Sequence, residues 1–140
     1  MQNEILGYPC KGFEMEDIQQ TWKHMQLEPI RHYGDECNGH DLYVFDEGKR
    51  YLARCSNCGG LVLVQQSEAH GEEDFYYLDC FPVGSSAEAE ALNAAYDGFG
   101  IEERFPKRFL MSTNGRLSWF DPADLRGDVN GGEANGESAQ

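Results

Sequence analysis

The sequence predicts an α+β fold in which two helices pack on an antiparallel sheet. Short segments rich in branched and aromatic side chains recur along the chain, separated by polar turns, and this pattern is typical of strands. Two longer stretches, residues 14–27 and 85–97, repeat apolar residues at helical spacing. The chain has 140 residues, 40% of them hydrophobic and 12% aromatic, which is enough for one core and fits a single domain.

Residues 14–27 (EMEDIQQTWKHMQL) predict the first helix. Four apolar residues at spacings of three, four and three share one helical face: Met15, Ile18, Trp22 and Met25. Stripes of this kind usually face the core, so Trp22 and Met25 are predicted to be core residues. Pro29 is expected to end the helix.

The middle of the chain predicts four strands. Residues 42–45 (LYVF) and 51–54 (YLAR) flank a polar turn with one glycine, and residues 61–64 (LVLV) form a third strand. Residues 66–74 are polar and are expected to form a loop. Residues 75–83 (FYYLDCFPV) carry large apolar groups on both faces, so this fourth strand is predicted to be central.

Residues 85–97 predict the second helix. Ser85 and Glu88 have the spacing of a capping box, in which each side chain bonds the other residue's backbone N–H. Gly98 supplies a signal for the end of the helix.

The C-terminal part divides into a hairpin and an acidic tail. The segments RFLMST and RLSWF flank Asn114-Gly115, a strong signal for a tight hairpin turn. From residue 121 onward the composition is acidic, glycine-rich and almost without apolar residues. We therefore predict one globular domain over residues 1–120 and a disordered acidic tail over residues 121–140.

The charge of the chain bears on its partners. The formal net charge is −14, from 25 acidic and 11 basic residues. Such a surface repels phosphate backbones, so general nucleic-acid binding is disfavoured, whereas a basic protein partner would be attracted. The acidity also simply favours solubility.

The sequence predicts a cytoplasmic location. No stretch approaches the ~20 apolar residues of a membrane span. The N-terminus, MQNEILGYPCKG, lacks the basic start and apolar run of a signal peptide. In a reducing compartment the five cysteines are expected to be thiols or metal ligands rather than disulfides.

Two cysteine-containing clusters have the spacing of metal ligands. Cys55 and Cys58, in CSNCGG, form a thiolate pair that can clasp one ion from a tight turn, with two glycines following. Cys37 and His40, in CNGH, repeat the spacing with an imidazole as the second ligand. The 14 residues between the clusters fit a strand, a turn and a returning strand.

Residues 35–65 resemble a zinc ribbon, a hairpin whose two knuckles bind one structural zinc. The resemblance implies that Cys37, His40, Cys55 and Cys58 bind Zn²⁺ and that LVLVQ is the third strand. His40 departs from the commonest all-cysteine pattern. His70, His32 or Cys10 could replace it as the fourth ligand if the fold brings them near.

Two other interpretations of the cysteines remain open: free thiols in two turns, and a redox-active pair at Cys55 and Cys58. The redox pair is disfavoured because Gly59-Gly60 cannot begin the helix that usually follows such a pair. A catalytic zinc normally keeps an open position, so four ligands favour a structural site. Because the sequence shows no catalytic set, a protein that is not an enzyme is favoured over an enzyme.

Three hypotheses for function follow. The first is a non-enzymatic protein-interaction module, of the type of bacterial toxin-immunity proteins by size and acidity alone. The second is a nucleic-acid-associated ribbon that uses a small basic group: Lys49, Arg50 and Arg54, with Tyr51 beside it. The third is a metal-dependent enzyme with an acidic loop near its site: His70, Glu72, Glu73 and Asp74.

Overall fold

The computed structural model describes residues 4–35, 47–69, 72–94, 101 and 105–122, and its main element is one six-stranded sheet. All strand pairs are antiparallel, and their spatial order follows the chain. The strands are β1 (Leu27–Asp35), β2 (Glu47–Cys55), β3 (Leu61–Ala69), β4 (Phe75–Val83), β5 (Phe109–Thr113) and β6 (Arg116–Phe120). The helices are α1 (Ile18–His24) and α2 (Ser86–Asn93), and a 3₁₀ turn spans Lys11–Glu14. The predicted α+β class is confirmed.

The sheet buries apolar side chains on both faces. Because successive residues of a strand point to opposite sides, the continuous apolar runs of β3 and β4 supply two cores. One face of the sheet packs against helix α2 and is called the α2 face. Its core includes Leu52, Leu63, Phe81, Ala89, Phe105 and Phe109. The opposite face of the sheet packs against the N-terminal segment and is called the α1 face. Its core includes Cys10, Met25, Ala53, Cys55, Val62, Val64, Cys80 and Leu110.

Several predicted elements agree with the structure. Strand β4 has the predicted bounds and lies centrally, between β3 and β5. Ser85 caps α2 through its Oγ, which accepts a hydrogen bond from the Glu88 amide at 3.1 Å. The other half of the predicted capping box differs, because Glu88 Oε1 accepts from the Gly84 amide at 2.8 Å. The hairpin turn has positive φ at Asn114 (51°) and Gly115 (84°), the backbone conformation that Asn-Gly favours.

The first helix differs from its prediction. It begins after Asp17, whose Oδ1 accepts a hydrogen bond from the Gln19 amide, and it ends at His24, before β1 starts. Thr21 is fully buried and donates a hydrogen bond to the Gly12 carbonyl at 2.7 Å. The helix therefore turns the face with Thr21 toward the core, and not the face with Trp22. Met25 is buried as predicted. Trp22 is 40% exposed, so its prediction as a core residue was wrong.

Strands β2 and β3 extend further than predicted because polar residues pair inside the sheet. Arg50 is fully buried, and its Nε donates to Gln65 Oε1 at 2.6 Å. Gln65 Nε2 in turn donates to Asp79 Oδ2 at 3.2 Å, and Arg50 Nη1 donates to the Asn93 carbonyl of α2 at 3.2 Å. The polar stretch at residues 66–69 pairs with β4 and belongs to β3, although it was predicted as a loop.

Asp79 gives the protein a testable pH dependence. Burial raises the pKa of Asp79 from 3.8 to about 6, against the lowering effects of the Gln65 hydrogen bond and the Arg50 charge. Between these values the unfolded chain loses a proton that the folded protein keeps, so stability falls as the pH rises. We expect this carboxyl to reduce the free energy of unfolding by about 2 kcal/mol between pH 4 and pH 7.

Urea unfolding of the wild type and of Asp79→Asn at both pH values measures this contribution. The stability of the variant relative to the wild type should rise by that amount from pH 4 to pH 7. Glu72→Gln, which alters an exposed carboxylate, should show no such change. An Asp79→Asn difference that is equal at both pH values would contradict the prediction.

Some predictions fall on residues that the structure does not describe. They include the strand at residues 42–45 and all but the first two residues of the acidic tail. The division into a domain over 1–120 and a tail stays a prediction.

Candidate metal centre

Four side chains that can bind a metal meet on the α1 face. Cys10, His24, Cys55 and Cys58 each offer one ligand atom, and these atoms all lie within 4.8 Å of one another. The Sγ atoms of Cys10 and Cys58 are 3.7 Å apart. The three cysteines are free thiols.

Cys55 and Cys58 lie in the tight turn that joins β2 to β3. The turn is closed by two backbone hydrogen bonds, from the Gly59 amide to the Cys55 carbonyl (2.6 Å) and from the Cys55 amide to the Gly60 carbonyl (2.8 Å). Gly59 has a φ of +81°, which glycine adopts without strain. The sequence CSNCGG thus forms the compact turn that its two glycines predict.

Cys10 reaches the cluster because the N-terminal segment runs beside the start of β3. The Leu61 amide donates to the Tyr8 carbonyl at 2.7 Å, and the Cys10 amide donates to the Leu61 carbonyl at 3.2 Å. The approach is very close: a Cβ added to Gly60 would lie 2.4 Å from the Cα of Cys10. A glycine at position 60 is therefore what allows these two segments to touch.

His24 is the last residue of α1 and is held against the same turn. Its carbonyl oxygen accepts a hydrogen bond from Asn57 Nδ2 at 2.6 Å. Gly12 leaves room for the imidazole, since a Cβ there would lie 3.0 Å from His24 Cδ2. The ring atom Nε2 is buried and has no hydrogen-bond partner among the described residues. A buried polar atom without a partner costs about 1–3 kcal/mol, and a metal ion bound to this nitrogen would remove that cost.

Backbone amides around the cluster favour negative charge on sulfur. The amides of Lys11 and Gly60 each lie 3.4 Å from Cys58 Sγ, and the Gln26 amide lies 3.5 Å from Cys55 Sγ. Amide donors of this kind stabilise a thiolate and orient it toward a metal.

The thiols differ in their ease of ionisation. Burial raises the pKa of the Cys10 thiol far above its ordinary value, and negative charge on Cys55 and Cys58 adds to the effect. Burial also acts to raise the pKa of Cys55, but amide donors, with Gln26 first, outweigh it and lower that pKa. All three sulfurs can be thiolates together only if a cation balances their charge.

The dimensions and donor types fit zinc. With Zn–S bonds of about 2.3 Å, two sulfurs of a tetrahedral site lie ~3.8 Å apart, close to the 3.7 Å between Cys10 and Cys58. Three thiolates and one imidazole are a common ligand set of structural zinc, whereas Ca²⁺ and Mg²⁺ require oxygen ligands. The cluster therefore suits zinc, and its four donors equal the number of ligands in a closed tetrahedral site.

The structure places some of the residues predicted to bind metal in the cluster, and it does not describe others. The structure brings together Cys55 and Cys58, and it adds Cys10, which the sequence suggested as a replacement ligand. Cys37, His40 and His70 lie outside the described residues, so their role as ligands stays a prediction. His32 lies on β1, is exposed and is not part of the cluster.

The zinc-ribbon hairpin is not confirmed. Residues 61–64 pair with β2, as the resemblance implies for the third strand. On the other edge of β2, however, residues 51–54 pair with β1, where the resemblance places residues 42–45.

The sequence does not identify His24 as a metal ligand, because this residue lies beside the apolar stripe of its helix and not on it. A histidine at the last turn of a helix also has an ordinary role there, since cations are favoured at that end. The only available signal was chemical: a thiolate pair needs further donors, and His24 was one of four histidines in the chain.

The chain matches no protein-family model, and comparisons with curated proteins and with solved structures found no match. Among the described residues, no helix has the length and apolar character needed to cross a membrane. The assignment of the site therefore rests on its own geometry and chemistry.

Proposed function

We propose that Cys10, His24, Cys55 and Cys58 bind one structural Zn²⁺. The observation that carries this proposal is the buried His24 Nε2, which has no hydrogen-bond partner in the described part of the chain and lies within a group of three thiols of suitable spacing. Four protein donors leave no position for water or substrate, so the metal stabilises the fold and performs no chemistry.

The zinc joins the N-terminal segment to the hairpin of β2 and β3. Two of its ligands precede β1, and the other two lie in the β2–β3 turn. Without the metal, these parts are connected through a few hydrogen bonds and the α1-face core. Zinc binding is thus part of the folding free energy of the protein.

Metal analysis of ligand variants tests the proposal. Mass spectrometry of protein purified without added metal should give one zinc per chain, with Cys55 and Cys58 unreactive toward thiol reagents until a chelator is added. His24→Ala should reduce the zinc content well below one. His32→Ala, which removes an exposed imidazole from β1, should leave it unchanged.

The same measurement distinguishes the two possible ligand sets. Cys37→Ser and His40→Ala should keep the zinc if the cluster described above is the site. Loss of zinc in these two variants, with zinc retained in His24→Ala, would instead support the ribbon ligands. Wild-type protein with no zinc and freely reactive thiols would reject both sets.

As the role of the folded protein, we propose non-enzymatic binding of a basic protein partner, as toxin-immunity proteins do. The net charge of −14 and the closed metal site support this role. A toxin-like reading frame beside the gene, whose product binds more weakly as salt increases, would support it; binding that is insensitive to salt would count against it.

The nucleic-acid alternative has less support. Arg50 is fully buried in the network with Gln65, and Arg54 Nη1 donates to the Gly59 carbonyl at 3.1 Å. Only Lys49 of the predicted basic group has an exposed side chain available for a phosphate.

A further inference from the structure

A cleft of about 420 Å³ lies next to the metal centre, with Cys10 in its wall. This volume falls within the usual range of ligand sites, ~300–1,000 Å³. Its walls are mainly apolar and come from aromatic and proline side chains: Tyr8, Pro9, Phe13 and Pro82. The cleft is partly open to solvent, a shape that suits an extended segment better than an enclosed small molecule.

Three cations line this cleft in a protein whose net charge is −14. They are Lys11, Lys107 and Arg108, against one acid, Glu14. Within the described part of the chain, no carboxylate lies within ion-pair distance of Lys11 or Lys107. The local excess of positive charge is therefore not neutralised by described neighbours.

Arg108 is held in place before any ligand arrives. Its Nη2 donates to the carbonyls of Phe13 and Met15 at 2.8 Å each, and its guanidinium lies 3.7 Å from the centre of the Trp119 ring. The atoms Nε and Nη1 take no part in these bonds. A cation that is already ordered loses little entropy on binding an anion.

We propose that this cleft binds an acidic peptide segment of a partner protein, at a surface separate from the acidic one proposed to attract a basic partner. Two or three carboxylates would match the three cations, and apolar side chains between them would lie against Tyr8 and Phe13. Nucleic acid fits less well because its continuous phosphate charge would be repelled by the rest of this acidic surface. The cleft would thus recognise alternating acidic and apolar side chains.

The inference rests in part on the proposed zinc. Lys11 follows the ligand Cys10 directly, and its amide lies 3.4 Å from Cys58 Sγ. Zinc would therefore fix the backbone that carries one cation and part of the apolar wall, and peptide binding should weaken when the metal is removed.

Fluorescence anisotropy with a labelled peptide tests the cleft. The probe is an eight-residue peptide of alternating glutamate and phenylalanine, and the same peptide with glutamine in place of glutamate is its neutral match. On the wild type in low salt, the glutamate peptide should bind at least tenfold more tightly than the glutamine peptide. Lys11→Gln with Lys107→Gln should remove most of this preference.

A matched double variant controls for net charge. Lys23→Gln with Lys49→Gln removes the same charge from exposed positions that do not line this cleft, and it should bind like the wild type. Equal binding of the two peptides, or equal weakening in both double variants, would overturn the proposal. So would binding of a single-stranded oligonucleotide, but not the peptide, in a manner that requires Lys11 and Lys107.

The peptide-binding experiment and the zinc measurement can fail independently of each other. A protein with one zinc per chain and no peptide preference would reject the cleft alone. A protein without zinc that still binds the glutamate peptide through Lys11 and Lys107 would support the cleft and reject the zinc.

Discussion

Removal of zinc with a strong chelator is expected to lower the melting temperature by roughly 8–16 °C. A ligand present at 1,000 times its dissociation constant stabilises the folded state by about 4 kcal/mol. For a chain of this size, each 1 kcal/mol shifts the melting temperature by roughly 2–4 °C. Calorimetry or circular dichroism with and without chelator measures the shift, and added zinc should reverse it.

Cysteine variants show whether the shift comes from the cluster. Cys55→Ser should melt at the temperature of the chelated wild type and should not respond to chelator. Cys80→Ala also removes a buried thiol from the α1 face, but one outside the cluster, so it should keep its response. A wild-type protein whose melting temperature is unchanged by a chelator would show that no metal stabilises the fold.

Gly60→Ala is expected to be the most damaging single-methyl change in the turn. The new Cβ would lie 2.4 Å from the Cα and 2.7 Å from the backbone nitrogen of Cys10. Backbone atoms cannot move aside as a flexible side chain can, so the N-terminal segment must shift and withdraw Cys10 from the cluster. We expect a loss of about 3 kcal/mol or more of stability, together with weaker zinc binding.

Gly84→Ala is the matched control because it adds the same methyl group where there is room. Its Cβ would lie 3.6 Å from the nearest atom, a carboxylate oxygen of Glu88. Urea unfolding and competition with a zinc-binding dye should show a small effect for Gly84→Ala and a large one for Gly60→Ala. Equal behaviour of the two variants would mean that contact between Gly60 and Cys10 does not hold the site together.

The sequence was most informative where local chemistry determines structure. The Asn114-Gly115 turn, the Ser85 cap and the turn around Cys55 and Cys58 all depend on neighbouring residues, and each forms as predicted. Strand β4 was also predictable, because a run that is apolar on both faces belongs inside a sheet.

The sequence was least informative where distant residues decide the outcome. Arg50 and Gln65 look like surface residues, and only their cross-strand pairing explains why they are buried in a strand. Likewise, Cys10 and His24 are distant in sequence from the β2–β3 turn, and tertiary contacts through Leu61 and Asn57 bring them to it. No local pattern records such contacts.

The order of the strands along the chain has a consequence for biosynthesis. Every strand pairs with its neighbour in sequence, so the sheet can grow one strand at a time as the chain leaves the ribosome. All four donors of the cluster lie in the first 58 residues, and β3, whose Leu61 holds Cys10 in place, is made next, before β4, β5 and β6. The nascent chain thus presents a complete ligand set while half of its sheet is still missing, and metal captured at that stage would anchor the growing edge to which the later strands add.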